Sequence, residues 1–239
     1  RSGTSVVVYI DGVSSASGTF TGTVATSGRP FRIGDNGNSQ NINGYLDDFR
    51  ISRFARYVSN FTPPTAALPT TASSTPADPY YGYTSLLLHM DGSSGSTNFV
   101  DSGPNALAVT AVGNAQVSTT QSKYGGASGY YDGSTGYLSL TGNSSFQFGT
   151  GDFTIEAWVY ISANASSQQT FLDTRGTATA TPFTFGIYQS KLAFYDGTMR
   201  QSSATVTTGQ WYHFAACRSG GTLRLFIDGI SYYSASSST

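Results

Sequence analysis

A chain of 239 residues is long enough for one large domain, or for one domain and part of a second. Its 12 basic and 13 acidic residues nearly cancel and only 10% of the chain is charged, so no basic field steers it to nucleic acid or to an anionic membrane surface. No apolar run reaches the length of a membrane span, the lone Cys217 excludes an intrachain disulfide, and Ser, Thr and Gly take the polar role while 16 Tyr and 15 Phe supply strand formers.

The N-terminal stretch reads as short strands. SVVVYIDG, from Ser5, enters an Asp-Gly turn; GTFTGTVA, from Gly18, alternates polar and apolar residues. GRPFRIGDNGNSQNING runs a strand into an Asn/Gly-rich loop, and GYLDDFRISRFARY, from Gly44, adds a last strand with a short helical turn. Residues 60–84, NFTPPTAALPTTASSTPADPYYGYT, hold five prolines among hydroxyl residues, a composition that builds no core of its own and predicts an extended, poorly packed linker. From Thr84 the strand candidates are TSLLLHMDG, ALAVTAVG, SGYYDG, GYLSLTG, FTIEAWVYIS, QTFLDTRG, FTFGIYQ, KLAFYDG, WYHFAACRSG and TLRLFIDG. In FTIEAWVY, Phe153, Ile155, Ala157 and Val159 share one face and Thr154, Glu156, Trp158 and Tyr160 the other. Neither face is cleanly polar, and no stretch keeps a helical period over ten residues. The fold class predicted is all-β, a two-sheet antiparallel jelly-roll sandwich.

The two ends of the chain repeat each other. RSGTSVVVYIDG from Arg1 matches RSGGTLRLFIDG from Arg218 at one offset of 217 residues, which places Ile10-Asp11-Gly12 on Ile227-Asp228-Gly229. The expectation is a window cut from a longer chain of tandem repeats, out of phase with its domains. Residues 1–61 then form the C-terminal half of one jelly-roll module, 62–83 a Pro/Ser/Thr-rich linker, and 84–239 the N-terminal two-thirds or more of the next. A half sandwich leaves a sheet edge open, so the expected partners are copies of the chain itself or adjacent repeats. The competing arrangement is a permuted domain within one chain, in which residues 5–13 and 222–230 contend for one slot.

Taken in that rotated order, LLLHMDG, FTIEAWVYIS, GQWYHFAACRSGGTLRLFIDG, PFRIGDN, GYLDDFRISRFARY and NFTPPTA resemble the laminin-G-like, concanavalin-A-like jelly-roll modules of phage virion and tail proteins and of bacterial surface proteins. The resemblance implies a structural repeat module of an extracellular or virion-associated fibre, assembling through sheet packing. The alternative it implies is a glycan-binding adhesion module of a tail or cell-surface protein, its partner a cell-surface glycan. It also implies a structural calcium between the opening strand and the closing Asp-Asp strand, held by Asp91 and Asp47, with Asp101 and Asp48 as weaker ligands. Strand alternation turns Asp47 and Asp48 to opposite faces, so only one is expected inward, and the plainer reading has these aspartates bind turn amides or Arg50. An enzyme is not expected. Glu156 is the only glutamate, most aspartates, including Asp11, Asp91, Asp132, Asp196 and Asp228, sit in turns that they can cap, and His89 and His213 stand in apolar strands with no nucleophile near in sequence. Tyr131, Tyr137, Tyr195, Tyr232 and Tyr233 are loop aromatics that could meet a sugar, with nothing to choose among them. The Asn-x-Ser/Thr triplets at Asn60, Asn143 and Asn164 are no more than such a Ser/Thr-rich chain yields by chance.

Overall fold

The computed structural model describes residues 5–10, 13–19, 31–35, 40–54, 56, 61–70, 78, 80–141, 144–146, 148–149, 151–163, 168–175 and 183–237, the first two segments as backbone only. Asp11, residues 20–25 of the second candidate strand, Asn60, Asn143, Asn164 and residues 71–77 of the expected linker lie outside these.

The strands are, in chain order, β1 (Ser5–Ile10), β2 (Val13–Thr19), β3 (Phe31–Ile33), β4 (Asn43–Ser52), β5 (Thr84–Leu88), β6 (Val109–Val112), β7 (Gln116–Ser118), β8 (Ser128–Asp132), β9 (Tyr137–Leu140), β10 (Phe153–Ile161), β11 (Gln169–Asp173), β12 (Thr184–Tyr188), β13 (Lys191–Tyr195), β14 (Met199–Gln201), β15 (Trp211–Ser219), β16 (Thr222–Ile227) and β17 (Ile230–Ser236). They form an eight-stranded sheet in the order β17-β16-β15-β10-β4-β8-β7 with β5 also on β4, a seven-stranded sheet in the order β14-β13-β12-β11-β3-β9-β6, and the separate β1-β2 hairpin. Every pairing between named strands is antiparallel, and the two large sheets make the expected sandwich.

Local chemistry fixes the hairpins. Three strand pairs, β12-β13, β15-β16 and β16-β17, turn through two residues that both lie at positive φ: Gln189-Ser190, Gly220-Gly221 and Asp228-Gly229. That geometry matches the right-handed twist of the flanking strands, and the last two use the residue types that adopt it most cheaply. At Gly44 close approach is the reason for glycine, because a Cβ there would stand 2.0 Å from the Tyr160 carbonyl oxygen on β10.

One core lies between the sheets. Phe153, Ile155, Ala157 and Val159 all enter it, as the alternation predicts, with Leu46, Phe49 and Ile51 from β4 and Phe185, Ile187, Leu192 and Phe194 from β12 and β13. Phe153 stacks against Phe183 at 5.6 Å, and Phe183 against Phe194 at 4.8 Å. The outer face of the eight-stranded sheet is also covered: Thr154, Glu156, His213 and Cys217 are each at most 1% exposed.

Two expectations give way here. Strands from both sides of the proline-rich stretch share both sheets, since β4 sits between β10 and β8 and β3 between β11 and β9. These two strands therefore complete their sheets inside one chain and draw on no second molecule. In addition, residues 61–68 of the expected linker lie along the outer face: Phe61 packs on Ala215, Cys217 and Phe226, and Leu68 is buried. Proline denies this segment a ladder, but its few apolar side chains still find a surface to cover.

Candidate functional site

The four aspartates proposed as calcium ligands part company. Asp101 accepts three amides, Leu87 and Gly103 on Oδ1 at 3.0 and 2.8 Å and Leu107 on Oδ2 at 2.8 Å, so it ties a turn to β5. Asp47 and Asp48 do not alternate. Arg50 faces Glu156 and Asp47 faces Trp158, so two residues of β4 oppose one of β10, and Asp48 at this bulge has φ 47°. Both carboxylates thus leave the core side between Leu46 and Phe49, and both are buried.

Asp48 Oδ1 meets His89 Nδ1 at 2.6 Å, and its Oδ2 accepts the Leu68 amide at 2.9 Å. Asp47 Oδ2 accepts the Lys123 and Tyr124 amides at 2.9 and 3.0 Å. Asp91 lies against the next residue of that turn, where a Cβ on Gly125 would stand 1.9 Å from its Oδ1. Burial pushes the Asp47 carboxyl up to about 7 against the pull of the two amides, and the charges of Asp48 and Asp91 add to the rise. Burial disfavours the His89 cation, yet the bond to Asp48 and the surrounding carboxylates leave its pKa raised. As placed, Asp47 and Asp91 offer one turn two carboxylates, short of the six to eight oxygens calcium takes. Among the described residues no group of three or more His, Cys, Asp or Glu is positioned to hold a metal ion. These residues do not fit a calcium shell; what they fasten is the segment above them, whose Pro64 carbonyl accepts the Tyr124 hydroxyl at 2.5 Å.

Beside this cluster, Glu156 Oε1 accepts Arg50 Nε and Nη2 at 2.8 and 2.6 Å, and its Oε2 lies 3.3 Å from His213 Nε2. Burial raises the carboxyl, but the Arg50 charge and the His213 bond outweigh it and hold the group well below the usual carboxylate range. Arg50 and Arg56 both reach Asp78, at 3.6 and 2.6 Å.

Among the described residues, a shallow feature lies on the outer face of the seven-stranded sheet. Register aligns Thr170, Gly186, Ala193 and Gln201 across β11 to β14, a row of small residues closed by a glutamine. On one side runs the row Thr184, Tyr195 and Met199; on the other, Tyr188. A small row between larger ones makes a trough, lined also by Gln168. A bulge between Thr170 and Leu172 brings the Gln169 carbonyl oxygen to 2.1 Å from where a Gly186 Cβ would stand, so only glycine keeps this floor low. Among the described residues the Thr170 hydroxyl is buried there without a hydrogen-bond partner and no carboxylate lines the trough; Tyr188 and Tyr195 are half-buried and Met199 is exposed.

Of the five tyrosines named from sequence, only Tyr195 lines this trough. Tyr131 is a core residue with no exposure, Tyr137 lies under the Arg32 guanidinium at 4.7 Å, and Tyr233 takes a bond from Arg200 at 3.2 Å. Thr170, Gly186 and Tyr188 were missed. For Gly186 and Tyr188 a signal was in the hairpin FTFGIYQSKLAFYDG, where Gly186 and Ala193 face each other between the levels of Tyr188 and Tyr195; Thr170 joins them only through register.

The chain matches the family model described as concanavalin A-like lectin/glucanases superfamily over residues 1–59 and 132–239. No curated protein and no solved structure matches it. With more than half of its length in that match and two antiparallel sheets in a sandwich, the chain belongs to the concanavalin A-like lectin/glucanase superfamily.

Proposed function

We propose that this domain is a glycan-binding module that holds a neutral sugar chain in the trough of the seven-stranded sheet and serves adhesion outside the cell. The observation that carries the reading is the register that sets the small row Thr170–Gly186–Ala193 between Tyr188 and Tyr195. Sugars present apolar C–H faces with hydroxyls at the rim, and a flat ring beside a few planar polar groups is matched to both. Tyr195 and Tyr188 supply the rings, while Gln168 and Thr184 supply polar groups at the rim.

Binding without cleavage fits the placement of the acids. Glycoside hydrolysis ordinarily needs two carboxylates flanking the bond. Among the described residues the trough has none in its lining, and the single glutamate, Glu156, is 1% exposed and paired with Arg50 on the other sheet. The lectin branch of the family description is therefore the better model for this chain than the glucanase branch.

Screening the domain against neutral and acidic oligosaccharides, followed by calorimetric titration of the hits, tests the reading. Tyr195→Ala is expected to weaken a neutral glycan by about tenfold, the worth of one aromatic contact of about 1.4 kcal/mol, with an unchanged melting temperature. Full affinity in Tyr195→Ala, or shift perturbations that avoid β11 to β14, would overturn it.

A further inference from the structure

The two large sheets end at β7 and β17 and at β6 and β14, and the chain itself covers all of these margins but one. At β7, Gly95 donates to the Val117 carbonyl and Val117 to the Ser96 carbonyl, both at 2.8 Å. At the opposite side, Ser203 donates to the Tyr232 carbonyl and the Arg200 guanidinium to the Ser236 carbonyl, again at 2.8 Å, so β14 and β17 close on each other. The margin left is β6. It pairs with β9 from Val109–Leu140 to Val112–Tyr137, and just before it Val100 bridges Ala108. Along Val109–Val112 the other edge has no strand partner among the described residues. Residues 80–141 are described without a break, and Thr110 is exposed while Val109, Ala111 and Val112 are half-buried.

Edge strands are ordinarily blunted by a charge, a proline or a bulge, because bare amides and carbonyls invite another strand. β6 has none of these: its register with β9 runs without a shift, no charged residue stands between Asp101 and Lys123, and Pro104 lies outside the strand. Val100, beside its start, is 62% exposed. We infer that β6 is a pairing edge whose occupant is β6 of a second copy of this chain, laid antiparallel about a two-fold axis. A strand that pairs with its own copy must be self-complementary, and Ala108-Val109-Thr110-Ala111-Val112 is. With Thr110 at the axis, Thr110 meets its own copy, Val109 meets Ala111, and Ala108 meets Val112. Val109 and Ala111 pack on the core, so their pairs extend the interior across the junction while the threonines pair on the outer face. Threonine pairs across strands are favourable, and no like charges are brought together. A foreign extended peptide would find the same bare amides but no charge or pocket here to select it. The contact is isologous and closes at two copies. It lies at the margin of the seven-stranded sheet away from β11 to β14, so this inference and the sugar trough can fail independently.

Four residues of pairing bury less than a standard interface, so the association should be weak, with a Kd of about 0.1–1 mM, and sedimentation of the full chain across that range is expected to show monomer and dimer in equilibrium. Thr110→Lys sets two cations face to face at the axis yet leaves the side chain in solvent in the monomer. It should weaken the dimer by more than about tenfold with an unchanged melting temperature. As a second readout, Thr110→Cys in a Cys217→Ser background should cross-link the dimer on mild oxidation, because directly opposed antiparallel residues stand about 4.5–5.5 Å apart at Cα, within disulfide range. Thr198→Cys, in the exposed turn between β13 and β14, should not cross-link. A chain that stays monomeric throughout, a dimer that Thr110→Lys leaves intact, or cross-linking as efficient from Thr198 as from Thr110 would overturn the inference.

Discussion

Replacing Arg50 with Ala isolates a buried charge, and its cost can be worked from the geometry. The substitution deletes both bonds to Glu156 Oε1, at 2.8 and 2.6 Å, and leaves a carboxylate that is 1% exposed and deprived of its guanidinium, with His213 still at 3.3 Å. Removing one partner of a buried pair costs about 3–5 kcal/mol, since the other is left uncompensated. For a domain of this size that is a fall of about 6–20 °C in melting temperature. The pH dependence discriminates this cause from mere loss of packing. In the parent, Glu156 is depressed below its usual 4.5, so its stabilisation is present above that pH and is lost as pH falls toward the folded value. Without Arg50, burial pushes Glu156 upward, so the variant's deficit should be largest at pH 7 and shrink at pH 4, where the carboxyl takes up a proton. Arg50→Met with Glu156→Leu should recover most of the loss, because neither charge remains to be buried. Melts of the parent, the single and the double variant at both pH values are the assay. A deficit independent of pH, or a double variant as unstable as the single, refutes the reasoning.

Three further outcomes are expected. Because Asp47 is raised to about 7 from 3.8, its folded form holds a proton that its unfolded form releases, so stability should fall as pH rises from about 4 to 7 and then level; Asp47→Asn should flatten that limb in a series of melts. Gly186→Ala should cost about 1–3 kcal/mol by urea titration and impair glycan binding, since its Cβ would stand 2.1 Å from the Gln169 carbonyl oxygen. Leu68→Asp should open the segment over Asp48 and speed cleavage within residues 61–70 under limited proteolysis, while melting of the two sheets stays cooperative.

The architecture was legible because it rests on short-range signals. Alternation in FTIEAWVY placed Phe153, Ile155, Ala157 and Val159 in the core, and the Asp228-Gly229 pair marked a tight turn. Alternation failed at Asp47 and Asp48, because a bulge is a property of two strands and β4 alone does not announce it. The partners of β3 and β4 were also hidden, since pairing over 100 or so residues depends on which edges stay vacant rather than on either strand's own pattern. Composition marked residues 60–84 as unable to build a core, yet it is blind to a core face next door that Phe61 and Leu68 can cover. The trough was missed for a related reason: Thr170, Gly186 and Ala193 come from three strands and meet only through register.

The central place of β4 sets an order of events during synthesis. Asn43–Ser52 leaves the ribosome about a hundred residues before Phe153–Ile161, its longest partner, and well before β5 and β8. At about 5–20 residues per second, the edge that β10 will cover waits some 5–20 s bare, while β5 can reach the opposite edge sooner. Its Asp47, Asp48 and Arg50, interleaved with Leu46, Phe49 and Ile51, keep that interval tolerable by holding charge on one side of a strand that would otherwise be a sticky apolar ribbon. The residues that end as a buried ionic layer thus begin as the solubilising face of a nascent chain.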